Sequence, residues 1–159
     1  MATTRGERMN DRFKFRLWHK PLKTMHYNDF IVTATGYIAK IYQQDDYMMK
    51  FNQEDLEFDK QCVLMQCTGL KDKNGTLIYE GDIVKYAEFD WTDFSFKDWE
   101  TEIAQVVWGN TYDNYYPAFD LKDTDFDGTN AFAYLFNEGW TVEVIGNIYE
   151  NKSLLESEG

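Results

Sequence analysis

The stretch QCVLMQCTGLKDKNGTLIYEGDIVKY, Gln61 to Tyr86, decides the fold. Cys62 to Leu70 is rich in residues that favour extended backbone and predicts a strand. The DKNG segment, Asp72 to Gly75, predicts a hairpin turn, because Asn-Gly tolerates the positive φ that a type I′ geometry demands. Thr76 to Tyr79 returns as a strand. Glu80-Gly81-Asp82 makes a second tight turn, and Ile83 to Tyr86 leaves as another strand. Two turns so close together predict a small, sharply bent β-unit.

Period-two alternation continues on both sides. Upstream, Phe13, Phe15 and Leu17 fall on one face and Lys14, Arg16 and Trp18 on the other, which predicts a half-buried strand. His19-Lys20-Pro21 ends it, since proline lacks the amide a ladder needs. FIVT (Phe30 to Thr33) and YIAKIY (Tyr37 to Tyr42), separated by Gly36, are two further strands, and YMMKF (Tyr47 to Phe51) is a short one. Asn52 to Lys60 reads as a loop or one helical turn. Downstream, residues 87–100 form a long aromatic and acidic excursion. Glu102 to Trp108 returns as a strand, Gly109-Asn110 turns, and Tyr115 to Leu121 is extended. Thr129 to Asn137 is a helix, with Thr129 as cap and Gly139 just past its end. Trp140 to Tyr149 is the last strand.

Composition bounds the class. The 159 residues are 43% hydrophobic and 18% aromatic, with two prolines and ten glycines, which excludes disordered and collagen-like chains. No apolar run approaches the roughly 18 residues of a membrane-spanning helix. The formal charge is −12, unevenly spread: residues 1–26 carry seven basic and two acidic side chains, a net of +5, leaving −17 on the rest. A basic arm on an acidic body can dock on a second copy or on an anionic ligand, while the acidic body also keeps the protein in solution. Cys62 and Cys67 are separated by an odd number of positions, point to opposite faces of a strand, and read as free thiols of a reducing compartment. No apolar signal segment follows Met1.

The expected organisation is mainly β: a flexible leader (1–11), an N-terminal β-unit (12–60), a small SH3-like barrel with one short helix (61–151), and a fraying polar tail (152–159). Three stretches resemble the YopX family of phage and prophage proteins: FKFRLW with Met25 (Phe13 to Met25), QCTGLKDKNGTLIYEGDIV (Gln66 to Val84) and VEVIGNIYEN (Val142 to Asn151). That resemblance implies a β-rich fold with an SH3-like C-terminal domain, a homo-oligomeric habit and a phage protein acting in the bacterial cytoplasm. It implies no activity. Its motif residues look structural, with Gly69, Gly75 and Gly81 in turns and Ile78, Tyr79, Ile83 and Val84 in the core.

Three groups of residues could carry function. Phe89, Asp90, Trp91, Asp93, Phe94 and Trp99 sit in the 87–100 excursion, where rings offer contact and acids offer steering toward a basic or proline-rich partner. The same composition can imitate a phosphate backbone. The competing reading folds these rings onto the barrel or into an oligomer contact. Lys14, Arg16, Trp18, His19, Lys20 and Lys23 make a basic strand end that could hold a nucleotide or dock on an acidic neighbouring subunit. Asp123, Asp125 and Asp127 before Gly128 half-match a calcium loop, but the twelfth position is Tyr134, which cannot supply the bidentate carboxylate. The alternative is an acidic turn in which Asp127 or Thr129 caps the helix.

GxSxG, GxxxxGK[ST] and GxGxxG are all absent from the sequence, and neither cysteine has a paired histidine nearby in sequence. The expectation is therefore a non-enzymatic phage accessory protein without cofactor, acting by binding. It would block a basic host protein or sequester a nucleotide signal in host defence. A structural scaffold of the phage is the alternative from another class.

Overall fold

The computed structural model describes residues 11, 13–27, 30–40, 58–90, 95–109, 118–122, 124 and 129–156. The chain divides into two compact units, one formed by Phe15–Gln66 and the other by Met1–Lys14 with Cys67–Gly159. Strand β5, Cys62–Lys71, runs through the boundary, so the division falls at Gln66, inside a strand, and not at residue 60.

In the Phe15–Gln66 unit, β1 (Phe15–His19) lies between β2 (Thr24–His26) and the first half of β5, antiparallel to both. Pro21 falls in the β1–β2 turn, as the missing amide requires. The hairpin of β3 (Phe30–Val32) and β4 (Ile38–Lys40) turns through Gly36. Residues 58–61 are helical, and Asp59 Oδ1 accepts the Ile38 amide at 2.9 Å. The strand expected at Tyr47 to Phe51 lies outside the described residues.

The larger unit holds the second half of β5 paired with β6 (Leu77–Tyr79), and an antiparallel sheet that forms a half-barrel. Its order is β10 (Thr141–Asn147), β7 (Asp82–Asp90), β8 (Ser95–Trp108), β9 (Phe119–Leu121). Helix α1 (Ala131–Asn137) covers one face of it. Ile78, Val84, Tyr86, Val106, Leu121 and Leu135 meet there, and the alternation along β7 and β8 is what places them on one side. The mainly β fold read from the sequence is the one observed.

Several local expectations are corrected. Gly75 takes a positive φ of +84°, but Asn74 does not, so the DKNG turn is not type I′. Gly75 N–H donates to Asp72 O (3.0 Å) and Asp72 N–H to Thr76 O (2.8 Å), a longer loop with a single left-handed glycine. The helix cap is Asn130, whose Oδ1 accepts the Ala133 amide at 3.0 Å, and not Thr129. Asp11, expected in the leader, is buried and pairs with Lys14 (2.8 Å) and Lys71 (3.8 Å). Residues Lys152–Leu155 form a 3-10 turn against β8 in place of a fraying tail.

Buried carboxylates tie the corners. Asp72 Oδ1 accepts the amides of Asn74 (2.9 Å) and Thr76 (2.8 Å), and its Oδ2 accepts that of Val144 on β10 (3.1 Å). Asp82 Oδ2 takes the Tyr79 amide at 2.7 Å, and Asp120 Oδ1 takes those of Leu121 and Ala131. Asp72→Ala strands three amides and should lower stability by about 3 kcal/mol, read as a reduced urea midpoint at unchanged slope. Asp72→Asn, which keeps the Oδ1 acceptor, should lose less.

The VIGN motif has a steric basis. A Cβ on Gly146 would lie 2.6 Å from Asn151 Oδ1 and 2.8 Å from Asn151 Cβ. Asn151 cannot simply swing away, because its Oδ1 accepts the Asn147 amide at 3.2 Å. Gly146→Ala should therefore destabilise by roughly 1–3 kcal/mol. Combined with Asn151→Gly the loss should be less than additive, measured by urea unfolding of the four-member cycle.

Candidate functional site

The 87–100 excursion is not a loop. Its described residues continue β7 and β8 as one long hairpin, in register from Ile83↔Gln105 to Ala87↔Thr101 and again at Phe89↔Phe96 and Asp90↔Ser95. Between these, Ala87 to Phe89 on β7 spans the same ladder as Thr101 to Phe96 on β8, so β8 bulges. β10 accompanies β7 only as far as Ala87, and β9 accompanies β8 only at Val106 to Trp108. Beyond Ala87 the ladder among the described residues is a two-stranded arm. Phe89 and Asp90 sit on its β7 side and Trp99 on its β8 side, while Trp91, Asp93 and Phe94 lie outside the described residues. The loop expected here misses these strands, because mixed rings and acids show no clean alternation.

The basic strand end is differently built from the expectation. β1 has neighbours on both sides, and Arg16 (4% exposed), Trp18 (7%) and His19 (7%) are buried. They form no solvent-facing cationic patch. Phe13, expected on the apolar face, precedes the strand and is exposed. Lys20 and Lys23 are exposed, with Lys20 Nζ donating to Lys60 O at 3.3 Å. Lys14 belongs to the other unit, where its hydrogen bond to Asp11 raises its pKa.

Register brings together three residues that the sequence keeps apart. His19 lies opposite Cys62, and His26 lies opposite Leu17, so His19, His26 and Cys62 share one sheet face. The His19 and His26 rings are 6.2 Å apart, edge to face, and Phe58 lies 5.3 Å from His19 and 6.4 Å from His26. His19 Nε2 is hydrogen-bonded to Gln61 Oε1 at 3.1 Å. The four-residue turn between Thr24 and His19 was the signal that could have revealed this pairing. Among the described residues no three His, Cys, Asp or Glu side chains converge to hold a metal ion. Asp123, Asp125 and Asp127 lie outside them.

Both cysteines are free, Cys67 buried and Cys62 half-buried. Burial pushes the Cys62 thiol up to about 11, aided by the negative charge of Asp59 and opposed by Lys20. Desolvation likewise raises Cys67, against a hydrogen bond from the Gly69 amide. These are poor nucleophiles near neutral pH.

A family model described as YopX protein matches residues 14–156. The chain belongs to the YopX family. Among curated proteins nothing matches it. Two solved structures are similar. The crystal structure of protein EF1440 from Enterococcus faecalis is 24% identical, with 89% of this chain and 96% of that chain covered and a TM-score of 0.49. The crystal structure of protein yopX from Bacillus subtilis is 21% identical, covering 90% and 98%, with a TM-score of 0.48. In this YopX chain no helix of the described residues is long and apolar enough to cross a membrane.

The raised Cys62 pKa gives a direct check. In a Cys67→Ser variant at pH 9, Cys62 should react with a disulfide reagent roughly 50-fold more slowly in the folded protein than in urea. The Cys62 proton is held more tightly in the folded state, so stability is full below pH 9 and falls as pH rises toward 11. Comparing the unfolding midpoint with that of Cys62→Ala across this window isolates the contribution of this thiol.

Proposed function

We propose that this chain is a phage- or prophage-encoded accessory protein of the bacterial cytoplasm that acts by binding, not by catalysis, and that the β7–β8 arm is its gripping element. The observation that carries this reading is the arm itself. Residues 88–100 hold five aromatic and five acidic side chains against one lysine. Rings supply hot-spot contact and acids supply steering, a composition suited to gripping a partner. A partner with apolar hollows and a basic rim matches that composition, and the acids speed the encounter. A host protein with a basic surface, such as a nucleic-acid-binding defence protein, fits that chemistry. Blocking it would serve the phage.

The basic N-terminal segment and the acidic remainder support self-association as the working state. The alternative of a nucleotide trapped at β1 has lost its best support, since Arg16, Trp18 and His19 are buried. A scaffold role would instead give large particles in light scattering and no host protein bound.

The test is capture of a host protein by the tagged chain from host lysate, over a salt series. The expected result is a basic protein whose retention falls as salt rises, and falls about tenfold in affinity with Asp90→Lys and Asp93→Lys together. Retention that is unchanged in this variant, with circular dichroism unaltered, overturns the assignment of the arm.

A further inference from the structure

The half-barrel carries a second candidate site, at the base of the arm, whose argument does not rest on the reading just given. On the face of the sheet opposite Val84 and Tyr86, cross-strand register sets Thr141, Ala87 and Thr101 in one row over β10, β7 and β8. The next row is Glu143, Lys85 and Ile103. Directly opposed residues project to the same side of a sheet. The small Ala87 between two threonines leaves a hollow, and the structure has a cavity of about 120 Å³ there, bordered by Lys73, Lys85, Ala87, Thr101, Thr141 and Glu143.

The charges around this hollow are not balanced. Glu143 lies across from Lys85, but its carboxylate is taken up elsewhere. Lys73 Nζ is 2.6 Å from Glu143 Oε2, and Asn74 Nδ2 donates to Oε1 at 3.3 Å. Both partners come from the DKNG turn, which is pinned to β10 by the Lys73 amide on Val142 O (2.9 Å) and by Asp72 on Val144. The Lys73–Glu143 pair is thus positioned by backbone contacts and holds the carboxyl below its usual pKa. Lys85 is left with no ion pair among the described residues. An uncompensated ammonium, a second ammonium at the rim and the Thr141 hydroxyl bordering one hollow are the donors an oxyanion takes.

We infer that this hollow binds a phosphate group, with Lys85 as its charge partner and the Thr141 hydroxyl as a flanking donor. The cavity suits the group alone, and its open mouth leaves room for the ester substituent in solvent. Inorganic phosphate and a phosphate monoester share that chemistry.

The experiment is an amide-resolved NMR titration of the full chain at constant ionic strength. Inorganic phosphate is one arm, adenosine monophosphate a second and acetate a third. Saturable shifts centred on Lys85, Ala87, Thr101 and Thr141 in the millimolar range or below are expected with phosphate. Lys85→Met should abolish them and Thr141→Val should weaken binding several-fold, with the remaining spectrum of each variant superimposing on the parent. Adenosine monophosphate binding tenfold tighter than phosphate assigns an ester, and equal affinity assigns the free anion. Shifts that fail to saturate, that appear equally with acetate, or that persist in Lys85→Met overturn the inference.

Discussion

The Asp72 carboxylate joins two stretches of chain 72 residues apart in sequence. One oxygen holds the turn that follows it, and the other accepts an amide from the last strand. Such a link is strong because the acceptor is charged and the donors would otherwise lose water without replacement. It also fixes where the turn lies, since the Lys73 amide then reaches Val142 O. Two backbone groups on the outer side of β10 are thereby used up. An edge strand that would invite pairing is blunted by a turn of the same chain.

The same device recurs at other corners, which explains how an acidic protein spends some of its aspartates internally. Asp82 closes the turn between β6 and β7, and Asp120 joins β9 to the start of α1. Asn147 accepts the amides of Tyr149 and Glu150 and sets the turn after β10. β6 and β9 are only three residues long. Strands so short gain little from their own ladder bonds, so side-chain acceptors at their ends do much of the positioning.

Much of this was legible in the sequence, and the failures have identifiable causes. Alternation found the strands that expose one face, and glycine found the turns. β1 misled because a strand paired on both sides can bury both faces, and Arg16 shows that a charged residue in the pattern does not guarantee exposure. The helix cap slipped by one residue because Thr129 and Asn130 are both competent caps. Tertiary contact chose between them: Asn130 Nδ2 donates to Phe119 O at 2.8 Å while its Oδ1 caps the helix. The convergence of His19, His26 and Cys62 depends on register, which local patterns do not encode. The aromatic arm was found by composition alone, and its strands form through pairing, with a bulge absorbing the mismatch.

These pieces together define which backbone the sheet leaves for others. β10 is occupied on one side by β7 and on the other by the DKNG turn. β9 is tied down by Asn130 and by the Asp120 link to α1. Past Ala87, in contrast, the ladder among the described residues continues between β7 and β8 without β10, and β9 pairs with β8 from Val106. The described ladder is therefore narrowest along the segment whose sequence is richest in rings and acids. Elsewhere the fold uses aspartates to close its edges against outside contact. Among the described residues, the arm is the stretch where this sheet is two strands wide.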